Sequence, residues 1–501
     1  MSKNKNLKIL FVASEAGPFA KVGGLGEVMF SLPRSLRRLG HDARVMIPRY
    51  LSVDQEKFNL KTVMEGLKVP TGGEYEPLVC NVKMFDSVEA DGNSPAPTYF
   101  LENEEYYEKR ANVYGYSDDS IRWALLCRGA LEFVKASEWK PDIIVASDWQ
   151  TGLIPNYLHT TYKEDPDLKN IAVLFSIHNI GFQASFDHHF ITEMDYDSGQ
   201  AEIPSIYDPK FLKLNFMRRG VMYADVINTV SPTYAQEITT PEYGEMLQDL
   251  LSERRGILYG ILNGIDYEEW NPATDDNLNF KFNHKALGER DKNKSVLQRK
   301  FNLPEDEHAF LIGIVSRLVD QKGFDMLMTC GDSLLNNFNI QLIVIGTGDG
   351  KYITFFEELR KKHPNKLGIH LSFDAILPRL LYGGADAILI PSKYEPCGLT
   401  QMEAMRYGAV PIVRKTGGLA DSVQDFDLEK NTGDGFVFEN YDNYALLGTI
   451  IRAMEINKHK VIWKKMQERA MKKDFSWDRS AGEYAKILNR AIESHIKKIE
   501  G

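Results

Sequence analysis

A series of short, almost uninterrupted apolar runs constrains this chain more than any other feature. Lys8–Ala13, Ile143–Ser147, Ala172–Ile177 and Val226–Val230 lie in the first half. Phe310–Ser316, Leu342–Gly346, Ala387–Pro391 and Val410–Val413 lie in the second. Such runs suit parallel strands buried on both faces, not strands with one wet face. The amphipathic stretches between them predict βαβ units. After the first run, Leu25, Val28, Met29, Leu32, Leu36 and Leu39 form one helical stripe. Gly40 suits the position past its end, and Pro33 predicts a kink within it.

At 501 residues the chain exceeds what one core usually covers, so at least two domains are expected. Apolar periodicity fades between about Tyr267 and Glu307, where Asn271-Pro272-Ala273-Thr274-Asp275-Asp276 is turn chemistry, and the inter-domain junction is expected in this part of the chain. The domains are assigned as residues 1–255 and 256–480. The final stretch 481–501 is a helix with a Leu488, Ile492, Ile496 stripe. The expected class is α/β, with two doubly wound halves facing across a cleft and ligands at the carboxyl ends of the strands.

Composition excludes several classes. The 60 Lys and Arg against 70 Asp and Glu give a net charge of −10, which argues against nucleic acid and anionic membranes as partners. The N-terminal apolar run is too short for a bilayer and lacks a signal-peptide cleavage pattern, so a cytoplasmic location is expected. Cys80, Cys127, Cys330 and Cys397 are scattered, without zinc spacing or a disulfide framework.

The most informative motif is Glu395-Pro396-Cys397-Gly398-Leu399-Thr400-Gln401-Met402-Glu403. It follows a strand and opens a helix, so free N–H groups can meet phosphate oxygens while Glu395 and Glu403 remain for hydroxyls. Cys397 reads as a small packer with no base to activate it. Arg317 and Lys322, in Ser316-Arg317-Leu318-Val319-Asp320-Gln321-Lys322-Gly323, leave another strand end and suit a phosphate clamp. Lys21, Gly23 and Gly24 form a glycine loop after the first strand, without the dinucleotide Gly-x-Gly-x-x-Gly pattern. Gly346-Thr347-Gly348-Asp349-Gly350 is read as a plain turn. His178 and Asp148 end two further strands. His178 fits sugar recognition or proton transfer and also a structural role; Asp148 fits a sugar contact and equally a cap beside a packed Trp149.

Together the segments KVGGLGEV, HNIGFQ, ILNGIDYEEWNPATD, SRLVDQKG, GTGDGKY, YGGADAILIPSKYEPCGLTQMEAMRYG and TGGLADSV resemble the bacterial glycogen synthase and plant starch synthase family, in order, from about Leu7 to Ala485. The resemblance implies the two-Rossmann GT-B glycosyltransferase fold, with the C-terminal helix packing back on the first domain. It implies retaining transfer of glucose from ADP-glucose to the non-reducing end of an α-1,4-glucan, with no cofactor and no metal required. By that resemblance, Glu395 is the essential carboxylate and Asp148 and His178 line the glucose site. Lys21, Gly23 and Gly24 face the donor phosphates and glucose, and Arg317 and Lys322 clamp the diphosphate. Gly398, Leu399 and Thr400 are donors beside Cys397, Glu403 meets the ribose, Asn263 lies near the sugar, and Phe373 lies against the base.

The chain departs from the family pattern at Gln150, in place of the second His of His-Asp-Trp-His. Further departures are Glu27, where Asp is usual, and Ala184, in the stretch usually written HNLAYQG. They fall in the acceptor-side domain. UDP-glucose as donor, another acceptor, and a catalytically silent glucan-binding regulator are the competing readings.

Overall fold

The structure, a computed structural model, describes residues 6–86, 94–183 and 197–500. It divides into two compact units. One comprises Met1–Val230, Ala235–Ile261 and Trp477–Gly501; the other comprises Ser231–Tyr234 and Leu262–Ser476. The stretch from Tyr267 to Glu307, expected to hold the junction, instead lies inside the second unit. There the Asp275 carboxylate accepts from the buried Tyr407 hydroxyl at 2.6 Å, and Leu287–Lys300 is a helix. The stretch is polar yet packed: side chains such as Arg290 and Lys294 are buried but spend their charge on carbonyls and on Asp386.

The first unit is built on a nine-stranded sheet of β1 (Lys8–Val12), β2 (Asp42–Pro48), β3 (Lys61–Val69), β4 (Leu78–Phe85), β5 (Thr98–Glu102), β6 (Ile143–Ser147), β7 (Ala172–Ile177), β8 (Val226–Thr229) and β9 (Leu258–Gly260). The order is β3-β4-β5-β2-β1-β6-β7-β8-β9, parallel except where β4 pairs with β3 and β5. The chain winds outward from β1 toward β2 and then restarts on its other side at β6. The switch point therefore lies at the carboxyl ends of β1 and β6, where ligands of open α/β sheets bind. The helix Gly24–Arg38 continues through Pro33, and Gly40 takes a left-handed φ of 93° past its end. The last helix, Trp477–Glu500, packs on that helix and on β7.

The second unit has a six-stranded, wholly parallel sheet of β10 (Phe310–Val315), β11 (Ile340–Ile345), β12 (Leu367–His370), β13 (Ala387–Ile390), β14 (Val410–Arg414) and β15 (Phe436–Phe438). Its order, β12-β11-β10-β13-β14-β15, puts the switch point between β10 and β13. The core is continuous from Ile312, Leu342 and Leu389 on the strands to Phe324, Phe356 and Trp463 on the helices.

Candidate active site

In the second unit the two loops flanking the switch point meet. The loop after β10 carries Arg317 and ends in a short 3-10 turn, Asp320–Lys322. The loop after β13 carries Ser392 and Glu395. Lys322 Nζ donates to Glu395 Oε2 at 2.6 Å, and the buried Ser392 hydroxyl donates to the same oxygen at 2.9 Å. The side chains of Lys322 and Glu395 are only 18% and 9% exposed, so the pair is poorly screened by water. Among the described residues Glu395 Oε1 accepts no hydrogen bond. A ligand hydroxyl can therefore donate to it without displacing the lysine. Arg317 stands exposed nearby in sequence, a cation open to solvent.

Glycines allow the backbone this course. At Gly323, with φ of 73°, an added Cβ would lie 2.1 Å from the Pro391 carbonyl oxygen. Gly417 and Gly418 pack under the Glu395 loop, where a Cβ would come within 2.0 Å of the Glu395 and Cys397 carbonyl oxygens respectively. Gly418 N–H donates to the Glu395 carbonyl at 3.1 Å, and the Ser231 hydroxyl donates to that of Pro396 at 2.8 Å. Gly398 takes φ of 69°, turning the chain into the helix Thr400–Arg406. The amides of Gly398, Leu399 and Thr400 precede the first intrahelical bond, Glu403 N–H to the Leu399 carbonyl, and lie half-buried. Buried Gln401 braces this turn by donating to the carbonyls of Cys397 and Gly398.

The remaining residues of this unit fall into two groups. Asn263 is buried beside the Cys397 thiol, and its side-chain Oδ1 has no hydrogen-bond partner among the described residues. Burial pushes that thiol up to about 12, so Cys397 is an inert packer. Glu403 and Thr400 lie beside the buried Tyr382 phenol. Phe373 is apart from these, 86% exposed in the loop after β12. Gly346 and Gly348 pack against the Ser316–Leu318 loop, where a Cβ would meet the Ser316 or Leu318 carbonyl oxygen at 1.8 or 2.3 Å. Close approach of two strand-exit loops explains that motif.

In the first unit the loop after β1 wraps a carboxylate that sequence reasoning missed. Glu15 is 3% exposed; its Oε2 accepts the N–H groups of Val22 and Gly23 at 2.5 and 2.9 Å. Its Oε1 accepts the Tyr114 hydroxyl at 3.0 Å. The signal was an acid directly after a buried strand, six residues before Lys21. Lys21, Gly23 and Gly24 are exposed, and Lys21 Nζ donates to Glu27 Oε2 at 2.6 Å. An added Cβ at Gly24 would meet nothing within 4 Å. No neighbour in this unit therefore demands glycine there.

Asp148, at the exit of β6, does not cap its own turn. Its Oδ1 accepts the backbone N–H groups of His178 and Asn179 at 2.7 and 3.3 Å, tying the exits of β6 and β7 together. Its backbone sits at φ 58°, ψ −179°, a region almost confined to glycine, at a cost of roughly 1–3 kcal/mol. Burial pushes its carboxyl up to about 7. Burial also pulls His178 down to about 4, so its ring is neutral at pH 7, with Nε2 3.1 Å from the Ser176 hydroxyl. Trp149 and Gln150 are buried, the Trp149 ring edge-on to Trp123 and Phe216. Ala184 lies outside the described residues.

Residues 8–253 match the starch synthase catalytic domain, and residues 296–470 match the glycosyl transferases group 1. A glycogen synthase from Thermosipho melanesiensis is 40% identical over 492 residues, covering 98% of this chain and 100% of its own. The chain belongs to the glycogen and starch synthase family of glycosyltransferases. A second member, the glycogen synthase of Thermotoga petrophila, is 41% identical over 97% of the chain and 99% of its own length. The catalytic domain of starch synthase IV from Arabidopsis thaliana, solved with ADP and acarbose, superposes with a TM-score of 0.82 at 30% identity, covering 98% of this chain and all of that one. Sucrose-phosphate synthase from Thermosynechococcus elongatus, at 16% identity and a TM-score of 0.58, shares the fold alone. This synthase-family chain is thus a GT-B glycosyltransferase. Among its described residues no helix is long and apolar enough to cross a membrane.

Proposed function

We propose that the enzyme transfers glucose from ADP-glucose to the non-reducing end of an α-1,4-glucan, with retention at the anomeric carbon and release of ADP. The observation that carries this reading is the Lys322–Glu395 pair at the β10/β13 switch point, with one Glu395 oxygen left open. Relatives named glycogen synthase and a starch synthase solved with ADP and acarbose support the donor and acceptor classes.

The difficult event is cleavage of the anomeric C–O bond. Positive charge grows on the sugar ring while negative charge grows on the departing diphosphate. Lys322, Arg317, Lys21 and the amides of Gly398, Leu399 and Thr400 meet the negative charge. Fixed donors of this kind are each worth about 3 kcal/mol, or roughly 10²–10³ in rate. Glu395 holds glucose hydroxyls through Oε1 and faces the developing cation. Asn263, with its open carbonyl oxygen, and neutral His178 hydrogen-bond the hexose, with Asp148 holding the His178 backbone. Glu403 takes the ribose and Phe373 stacks on the base. Four free, buried cysteines suit a reducing, cytoplasmic setting.

Nucleotide release measured with ADP-glucose and with UDP-glucose, each with and without glycogen, tests the reading. Glycogen-dependent release from ADP-glucose is expected. Preference for UDP-glucose would overturn the donor assignment, and no release from either would leave a glucan-binding protein.

A further inference from the structure

The last helix is held to the first unit by a buried cluster that none of the chemistry above uses. Asp225, just ahead of β8, is fully buried, and its Oδ2 accepts the Val173 N–H at 2.9 Å. Two imidazoles converge on it. His159, ending the helix Leu153–His159, brings Nε2 to 3.6 Å from Asp225 Oδ1. His495, in the last helix, brings Nδ1 to 3.0 Å from Asp225 Oδ2.

The far side of each ring fixes its tautomer. His159 Nδ1 lies 3.0 Å from the Pro155 carbonyl, and His495 Nε2 lies 2.9 Å from the Lys169 carbonyl. A carbonyl only accepts, so both outer nitrogens carry protons. The inner nitrogen of each neutral ring then presents a lone pair. Among the described residues both inner nitrogens are buried without a hydrogen-bond partner; His495 Nδ1, though close to the carboxylate, is out of line with it. The three ligand atoms lie within 4.8 Å of one another.

We propose that His159 Nε2, Asp225 and His495 Nδ1 bind one divalent cation of the zinc class, which fastens the last helix to the first unit. Two imidazoles and a carboxylate are a zinc-type donor set. Ring N–H groups given to backbone carbonyls are the usual outer support of metal-bound histidine. Ligand bonds of about 2.1 Å in a tetrahedron put ligand atoms about 3.4 Å apart. The present distances, 3.0 Å from His495 Nδ1 to Asp225 Oδ2 and 3.6 Å from His159 Nε2 to Asp225 Oδ1, are of that order, so a small turn of the carboxylate is what a cation would require. Lys498 Nζ, 2.8 Å from Asp225 Oδ1, competes for that oxygen, but its side chain is 47% exposed and can swing into water. A water then completes the fourth position. Among the described residues the Arg254 guanidinium also feels the Asp225 carboxylate. The competing occupant is a proton: burial lowers His495, but the Asp225 carboxylate outweighs it and raises the ring overall.

The test uses the full chain stripped with chelator, titrated with Zn²⁺ by calorimetry and with Co²⁺ by visible absorption. One equivalent is expected to bind, with a Co²⁺ spectrum lacking thiolate charge transfer and an unfolding temperature that rises with zinc. His159→Ala and His495→Ala should each weaken binding by about tenfold or more. Lys498→Met should tighten it, by removing the rival cation. His159→Ala keeps the test open if His495→Ala fails to fold. No stoichiometric binding by the wild type, or binding unchanged by both histidine substitutions, overturns the proposal. So does an unfolding temperature that falls from pH 6 to 8 without any response to zinc, which assigns the cluster to a proton.

Discussion

Replacing Lys322 by alanine tests the centre of the proposed site. Two consequences separate. Glu395 Oε2 keeps only the Ser392 hydroxyl after losing a charged donor at 2.6 Å. A hydrogen bond to a charged group contributes about 1.5–3 kcal/mol, and at 18% and 9% exposure the upper half of that range applies to the pair. Unfolding in denaturant should therefore register a loss of about 2.5 kcal/mol. The second consequence is chemical. If Lys322 meets the leaving diphosphate, its removal takes one fixed cation from the transition state, about 3 kcal/mol, and kcat/KM falls by roughly 10²–10³. Lys322→Met, which keeps the aliphatic stem, should lose as much activity, because charge and not packing is removed. The assay is ADP release from ADP-glucose with glycogen, alongside ADP affinity by calorimetry. Turnover within about threefold of wild type, in a variant that shows the stability loss, would refute the assignment. Lys322 would then be only a brace for Glu395.

Four further substitutions probe other parts of the site. Gly24→Ala should leave the unfolding temperature unchanged, since its Cβ meets nothing within 4 Å, yet cut activity by about tenfold or more if donor backbone contact requires glycine there; Gly417→Ala, 2.0 Å from the Glu395 carbonyl oxygen, should destabilise by about 3 kcal/mol or more. Phe373→Ala should leave stability intact, the ring being 86% exposed, and raise KM for the nucleotide sugar by roughly tenfold through lost base stacking of about 1–3 kcal/mol; an unchanged KM removes it from the base site. Asp148, raised by burial to about 7, holds its proton more tightly folded than unfolded. Its ionisation therefore penalises the folded state as pH climbs from about 4 through about 7. Asp148→Asn should then gain stability over wild type across that window in thermal melts, with the gap closing below pH 4; a gap independent of pH would contradict the burial argument.

The strands that carry the site were legible because each is buried on both faces. Phe310–Val315 and Ala387–Ile390 are continuous apolar runs, and the site loops leave their carboxyl ends. The edge strands were not legible. Lys61–Val69 is exposed along most of its length and pairs antiparallel with Leu78–Phe85, so charged residues interrupt its pattern. The sequence named Lys322 and Glu395 separately. Their pairing, across 73 residues, depends on β10 and β13 lying side by side, a matter of topology rather than spacing. Glu15 escaped notice because its partners are backbone amides and a tyrosine 99 residues away, which no motif records. Asp148 was weighed as a cap because strand-to-turn aspartates commonly are; its positive φ and its grip on the neighbouring strand exit belong to three dimensions.

The helix Trp477–Glu500 belongs to the first unit, although all of Leu262–Ser476 intervenes. Its Ile487, Leu488 and Ala491 are buried there. On a ribosome, the half that emerges first must wait for Trp477–Glu500 to leave the exit tunnel before this helix can pack on it. The second unit, Ser231–Tyr234 and Leu262–Ser476, precedes that helix entirely and can consolidate without it. A released chain ending before Trp477 should accordingly expose apolar surface on the first unit, where Ile487, Leu488 and Ala491 would be buried, the kind of surface chaperones recognise.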